Sequence, residues 1–487
     1  MLGQQFNCCP NIEARALVPG VFLIILIWRS ILVYATIRLI LEIYSFQKDR
    51  FIMDQPLKNY GVRVTLAAVG INLALGILYT WSVISKDIPK DWDWKETEKS
   101  WPYAVACLVF SLMMVPAGRL QDRIGPRIVA TIGGLLVGAG MILASFTTSF
   151  LGYILGFGIL AGAGIGCGYA SATPPAVKWF SAKRTGLIAG IVVSGFGLAS
   201  VYAAPLSKWL IGGVSDSMKM NMTWASKSPL TEWLFGGFGL PNTMLTLGIA
   251  FLIVVVGLSQ LLVAPPSGFV PTGSAPKVAP GPNAKKEDFS PWEMLSTVQF
   301  YLLWFMYTCG AGAGLMVISK LATIASKQVG LDLGFLLVAT LAVGNGAGRI
   351  LAGVLSDKLG RKTTMFGCFV VQAVLVIILS LAKADTILAN GLVLALLSAL
   401  IGANYGANLS LFPSITKDYY GLKNFGVNYG LVFTAWGVGG CMLSLGAGLL
   451  YDKYQTFAYA YYGASTLLVL AAIVTFLVKP PKIAHHT

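Results

Sequence analysis

Charge is what this sequence has least of. Only 11% of its 487 residues are Asp, Glu, Lys or Arg, against about a quarter in a soluble globular chain. A soluble protein of this length needs a polar surface. Here that surface is missing, so the solvent must be largely lipid. Histidine is scarcer still: the two copies, His485 and His486, stand at the extreme C-terminus. A buried histidine metal site and a histidine general base are thereby excluded. The seven cysteines include no Cys-x-x-Cys pair. Most lie in apolar runs, where a thiol is a small packing group; Cys8-Cys9 is either a lipidation site or incidental. Acids are absent from the interior of the apolar runs after residue 60, falling in the N-terminal segment, in loops or at run ends. No nucleophile–base pair is visible, so an enzyme is the weakest class. Neither a metal nor a cofactor is called for.

What the chain has is hydrophobic length, at 56% of its residues. A bilayer core needs about 20 apolar residues per helix. Twelve runs qualify: 62–84, 101–118, 128–147, 151–173, 186–205, 242–263, 298–322, 333–352, 363–382, 387–410, 425–448 and 457–478. They are continuously apolar rather than alternating. In lipid, backbone groups must pair internally, so these runs read as helices and exclude a barrel. The expected class is an all-α membrane protein of twelve helices.

The net charge of +15 would invite a nucleic-acid reading, but the bases fall in short clusters between runs, as orientation signals do. Arg119, Arg123 and Arg127, then Lys178, Lys183 and Arg184, then Lys358, Arg361 and Lys362 share one side. The bias predicts both ends of the twelve-helix core in the cytoplasm. Residues 264–292, rich in Pro and Gly, read as a cytoplasmic linker. Domains are expected at 58–263 and 293–480, six helices each, with an extension at 1–57 and a tail at 481–487. The 206–240 insert, with Trp209, Trp224 and Trp233, is expected outside. The run from Leu17 to Tyr44 is broken by Arg29, Arg38 and Glu42. It reads as an extra span, an interfacial helix, or a stretch upstream of a true start at Met53.

Two connections repeat. Gly118-Arg119-Leu120-Gln121-Asp122-Arg123-Ile124-Gly125 follows the second run, and Gly353-Val354-Leu355-Ser356-Asp357-Lys358-Leu359-Gly360-Arg361 the eighth. Their first glycines stand 235 residues apart, one six-helix unit with its loops. Glycine permits a tight turn there, and internal repeats mark secondary transporters. This pattern resembles the signature loop of the major facilitator superfamily, which implies a fold of two six-helix bundles.

An ionisable group at bilayer depth is a functional candidate. Lys320 and Arg349 lie within runs. Arg349 follows Asn345 by one helical turn, in a Gly-rich stretch that lets a neighbouring helix approach. No protein anion is in view, so its expected partner is a substrate carboxylate on the guanidinium fork. The bland alternative is an arginine held by backbone carbonyls or snorkelling to the helix end. Lys320 is expected to snorkel to the outside interface or to add positive potential along the anion path. Tyr429, Phe433, Trp436 and Gly440 share a face, as do Asn72, Gly76 and Tyr79; Asn404, Tyr405 and Asn408 cluster. Each group either packs or lines a cavity. Glycines 152–168 read as a helix-packing seam.

Three segments carry a closer resemblance: Gly166-Cys167-Gly168-Tyr169-Ala170-Ser171 through Trp179-Phe180, Gly76-Ile77-Leu78-Tyr79-Thr80-Trp81, and Asn424-Phe425-Gly426-Val427-Asn428-Tyr429-Gly430. They are similar to the oxalate/formate antiporter family. The resemblance implies carboxylate transport by rocking of two halves, with Arg349 at the family's substrate-binding arginine and Tyr169 and Tyr79 in the pathway. The family's second basic residue is replaced here by Trp436. The chain also resembles the monocarboxylate transporters, whose eighth span carries an Asp or Asn with an Arg, as Asn345 and Arg349 do. Together these imply a lactate-, pyruvate- or formate-class substrate in a bacterial inner membrane. A coupled proton or an exchanged anion would accompany it, and the functional unit would be monomeric. The rivals are oxalate/formate exchange and a sensor that binds carboxylate without moving it.

Overall fold

The computed structural model describes residues 59–181, 184–213, 237–266, 269, 288–332, 334–421 and 424–481. The 1–57 extension, most of the linker, Trp224, Trp233 and nearly all of the tail lie outside the described residues. One compact unit, Asn59–Pro265 with Val270–Thr487, holds all the helices below. Of the other unit, Pro266 and Phe269 are described; the Phe269 N–H donates to the Pro266 carbonyl (3.1 Å).

Twelve helices are long and apolar enough to cross a membrane: α1 (Gly61–Lys86), α2 (Glu96–Ile124), α3 (Pro126–Ser145), α4 (Phe150–Lys178), α5 (Leu187–Gly212), α6 (Gly239–Ser259), α7 (Val298–Val329), α8 (Gly334–Leu359), α9 (Arg361–Ser380), α10 (Gly391–Tyr420), α11 (Phe425–Tyr454) and α12 (Ala458–Leu477). No strand occurs among the described residues. Each helix matches an apolar run, but several outlast it, because a helix can continue into polar surroundings once its ends find partners. α2 starts at Glu96, ahead of the expected 101: the Asp452 carboxylate accepts from the Glu96 and Thr97 N–H groups (3.0 and 2.9 Å). α5 runs on to Gly212, so Trp209 is helical rather than part of an outside insert.

The signature segments are scarcely loops. α2 passes to α3 through Gly125 alone (φ 92°, ψ 155°), and α8 to α9 through Gly360 alone (φ 90°, ψ 150°). The two copies thus share one backbone bend, in a region open only to glycine. In the second copy Arg361 pairs with Asp357 (2.7 Å) and with Asp418 of α10 (3.1 Å).

α1–α6 pack mainly with one another, as do α7–α12, giving two six-helix bundles. They meet chiefly along α2 with α11 and α5 with α8. α3, α6, α9 and α12 touch only helices of their own bundle in strength, and they carry much of the exposed apolar surface, including Leu135, Ile253, Val374 and Phe476. An apolar surface of this extent requires lipid contact. Close approach inside the bundles rests on glycine. On α4, a Cβ at Gly164 would lie 2.5 Å from the Gly133 carbonyl of α3, and one at Gly156 2.5 Å from that of Gly140. The 152–168 seam is therefore a packing seam.

Candidate functional site

The site forms where α1, α4, α5, α8, α10 and α11 converge. Its position begins with the α8–α10 contact. Gly344 and Gly348 of α8 face Gly402 and Gly406 of α10. A Cβ on Gly344 or Gly348 would sit 1.9 Å from the Ala399 or Ala403 carbonyl, and one on Gly406 2.1 Å from that of Asn345. At those four glycines the helices leave no room for a side chain. Asn345 is held in that contact, fully buried.

Arg349 is 7% exposed. Its Nε donates to Asn345 Oδ1 (3.1 Å) and its Nη1 to the Val193 carbonyl of α5 (2.7 Å). The guanidinium lies across Gly197, where a Cβ would come within 3.1 Å of Nη2. The Tyr169 hydroxyl lies beside it. No carboxylate stands within ion-pair distance of Arg349 among the described residues, and Asn345 Nδ2 is buried with no partner. Arginine thus reaches from one bundle to the other, satisfied in part by backbone and in no part by an anion. The snorkelling alternative is not what the structure shows, since the side chain turns inward.

Beside the arginine is an aromatic cluster. Phe433 and Trp436 of α11 stack at 5.2 Å, and Phe110 of α2 meets both edge-on. Phe196 of α5 meets Tyr79 (5.0 Å) and Tyr169 (5.3 Å) in the same manner. The Trp436 indole N–H donates to the Tyr405 hydroxyl (2.8 Å), which lies 2.6 Å from the Tyr79 hydroxyl. The hydrogens here can be counted. The indole hydrogen fills one position on Tyr405. Only one phenolic hydrogen fits between the two hydroxyl oxygens. The other phenolic hydrogen meets no acceptor among the described residues. A buried donor without an acceptor is unfavourable unless a ligand supplies one.

The structure therefore gathers Arg349, Asn345, Tyr169, Tyr79, Phe433 and Trp436, with Tyr429 stacked one turn along on Phe425 (5.8 Å) and tilted against Phe433 (5.8 Å). It does not gather them all. The Asn404 side chain bonds its own helix at the Leu400 carbonyl (3.0 Å). Asn72 is drawn to α5 by the Val192 carbonyl (2.9 Å). Lys320 does not snorkel: it is 1% exposed and donates to Glu96 Oε2 (3.1 Å), because α2 brings a buried carboxylate to it. Of the signature residues, Gly353 stands one turn from Arg349 on α8, while Gly118, Asp122, Arg123, Gly125, Asp357, Lys358, Gly360 and Arg361 lie further toward the bundle end, at or near the ends of α2 and α8 and the start of α9. Sequence reasoning missed Phe110, Phe196, Gly197 and the Val193 carbonyl. The Gly195-Phe196-Gly197 triplet was the available signal, since a glycine pair flanking an aromatic inside an apolar run marks close approach.

Comparison with known proteins agrees with this architecture. The family model described as Major Facilitator Superfamily matches residues 64–344 and 324–487. An uncharacterized MFS-type transporter, YhjX, of Escherichia coli (strain K12) is 26% identical over 75% of this chain and 82% of its own length. The oxalate:formate antiporter of Oxalobacter formigenes is 27% identical over 78% of this chain and 82% of its own. Monocarboxylate transporter 13 of Rattus norvegicus is 29% identical, over 32% of this chain and 37% of its own. A bacterial homolog of the human lysosomal transporter Spinster, solved inward-facing and unoccupied, superposes with a TM-score of 0.61 at 17% identity, covering 86% of this chain and 97% of that one.

Proposed function

The chain belongs to the major facilitator superfamily and is a multi-pass membrane transporter, and on that premise we propose that it carries a small monocarboxylate of the lactate, pyruvate or formate class by alternating access. The observation that carries this reading is Arg349, a buried guanidinium between the two bundles with no carboxylate partner among the described residues. A buried charge is strongly unfavourable unless neutralised. The partner it lacks is the one a substrate brings.

A carboxylate would sit on the guanidinium N–H groups that Asn345 and the Val193 carbonyl leave free, and would also accept from the unpaired phenolic hydrogen of Tyr79 or Tyr405 and from Asn345 Nδ2. The Phe433–Trp436 stack would cover its apolar part. Valence follows from charge. One monocarboxylate neutralises Arg349, whereas a dianion leaves an excess negative charge at low dielectric. Trp436 supplies a donor but no charge, and Lys320 is engaged by Glu96. A coupled proton would travel on the substrate or on a group at a span end; the alternative is exchange for a second anion.

The charge bias supports a cytoplasmic signature-loop end, with both ends of the twelve-helix core on that side of a bacterial inner membrane as part of the same reading. Each chain would be its own functional unit. The second reading is oxalate/formate exchange, favoured by the relative named for it, which aligns over 78% of this chain. Counterflow of labelled lactate, pyruvate, formate and oxalate into proteoliposomes separates the two. Monocarboxylates are expected to exchange and oxalate to compete poorly. Strong oxalate competition would defeat the valence argument, and binding of these acids without flux would favour a carboxylate sensor over a carrier of them.

A further inference from the structure

The bundle end opposite Gly125 and Gly360 is closed by charge. Glu96, at the start of α2, is 5% exposed. Lys320 of α7 donates to Glu96 Oε2 (3.1 Å) and to the Glu96 carbonyl (3.1 Å). Lys327, also of α7, donates to Oε1 (2.9 Å) and lies over the Tyr451 ring of α11. Lys99 adds a longer contact (3.5 Å) from within α2. Asp452 of α11 holds the first turn of α2, and Lys86 of α1 pairs with Asp332 beyond α7. The contacts of Lys320 and Lys327 with Glu96, of Asp452 with α2 and of Lys86 with Asp332 each join the first six helices to the last six, while Lys99–Glu96 and Lys327–Tyr451 stay within one bundle. At the signature-loop end the described ion pairs, Arg361 with Asp357 and Asp418, stay within one bundle.

Glu96 shows what the two lysines accept. They stand seven residues apart, on one face of α7, and a single carboxylate bridges them, one oxygen to each. For the bundles to part at this end, α2 must leave α7, and Glu96 leaves with it. Lys320, which is buried, and Lys327, which is partly exposed, then lose together the carboxylate that bridges them. A buried ammonium without a partner is strongly unfavourable, and the group that fits is another carboxylate.

We propose that Lys320 and Lys327 form a second carboxylate site, an entry site at this end, which Glu96 occupies as a tethered substitute while the end is shut. The identity of the entering acid rests on the function proposed above; the exchange of one carboxylate for another does not. The device makes opening and substrate capture one event, because the anion that enters replaces the one that withdraws.

The native Cys107 reports on it. It is fully buried on α2 against Gly440 of α11, three turns from Glu96. The full-length protein in liposomes would be treated with an anionic thiosulfonate, and modification of Cys107 followed by mass spectrometry. Glu96→Gln should raise the rate about fivefold or more, a typical coupling between sites. In that background lactate, formate or oxalate should slow the reaction, because an acid held by Lys320 and Lys327 competes with the anionic reagent that must pass them to reach Cys107. The protection should survive Arg349→Lys and vanish with Lys320→Met, and it should weaken with Lys327→Gln, a half-exposed position that tolerates change. An unaltered rate in Glu96→Gln overturns the latch. Protection that depends on Arg349 but not on Lys320 overturns the entry site and leaves the central site standing. Protection in no variant overturns the entry site as well, while the counterflow assay separately decides whether a monocarboxylate is carried.

Discussion

Arg349→Lys keeps a positive charge and loses the fork. One charge-assisted hydrogen bond contributes roughly 1.5–3 kcal/mol, so apparent affinity for a monocarboxylate should fall about 10- to 100-fold. Arg349→Gln should abolish binding. Competition against labelled uptake reads both, and wild-type affinity in either would make the arginine purely structural. The hydroxyl pair gives a sharper test. In Tyr79→Phe the Tyr405 hydroxyl still accepts from Trp436 and keeps a free hydrogen, so the effect should be small. In the double Tyr79→Phe/Tyr405→Phe variant neither hydroxyl of the pair remains and the Trp436 N–H loses its acceptor. A loss of about 1–3 kcal/mol in binding is expected. Equal effects of single and double variants would contradict the hydrogen count. Trp436→Lys should move preference toward dicarboxylates, though its ring is fully buried and the variant must first be shown to fold.

Elements differ in what their glycines do. Of the signature glycines, Gly118 and Gly353 have open space where a Cβ would stand, while Gly125 and Gly360 have positive φ. Gly353→Ala should therefore leave the melting temperature in detergent nearly unchanged. Gly360→Ala should cost about 1–3 kcal/mol through backbone strain. Gly348→Ala should cost at least as much, roughly 1–3 kcal/mol or more by overpacking, because it presses α8 off α10. It should also lower transport, since Asn345 and Arg349 ride on that contact. Equal stability of the Gly353 and Gly360 variants would show that the bend does not need glycine. Loop chemistry supports the same closed end: the Lys86 ammonium beside Asp332 holds that carboxyl below its ordinary range. The pair is intact above the unfolded carboxylate value and is lost only as pH falls through the lowered one.

For the whole molecule, the described helices fall within 59–481 and the family match begins at residue 64. A chain starting at Met53 is expected to insert and to transport at the full-length rate; failure to insert would make the first 52 residues integral. Cysteines placed at Ser274 and Thr487 should label from the same, cytoplasmic side. The sequence by itself determined the solvent, the number of spans, the repeat and the arginine, because each rests on composition or local spacing: lipid demands long apolar helices, and a charge inside one stands out. It also placed Asn345 beside Arg349, since one helical turn does so in any fold. What α5 and α2 contribute was settled only by tertiary structure. Nothing in the spacing of Gly197 or Phe196 says that they face α8 and α1. Lys320 was misjudged for the same reason: an interfacial lysine and a buried one read alike until a distant carboxylate is brought to it, and Glu96 lies 224 residues away in the chain. Which helix meets which is fixed by the summed packing of many weak contacts, and a linear pattern does not carry that sum.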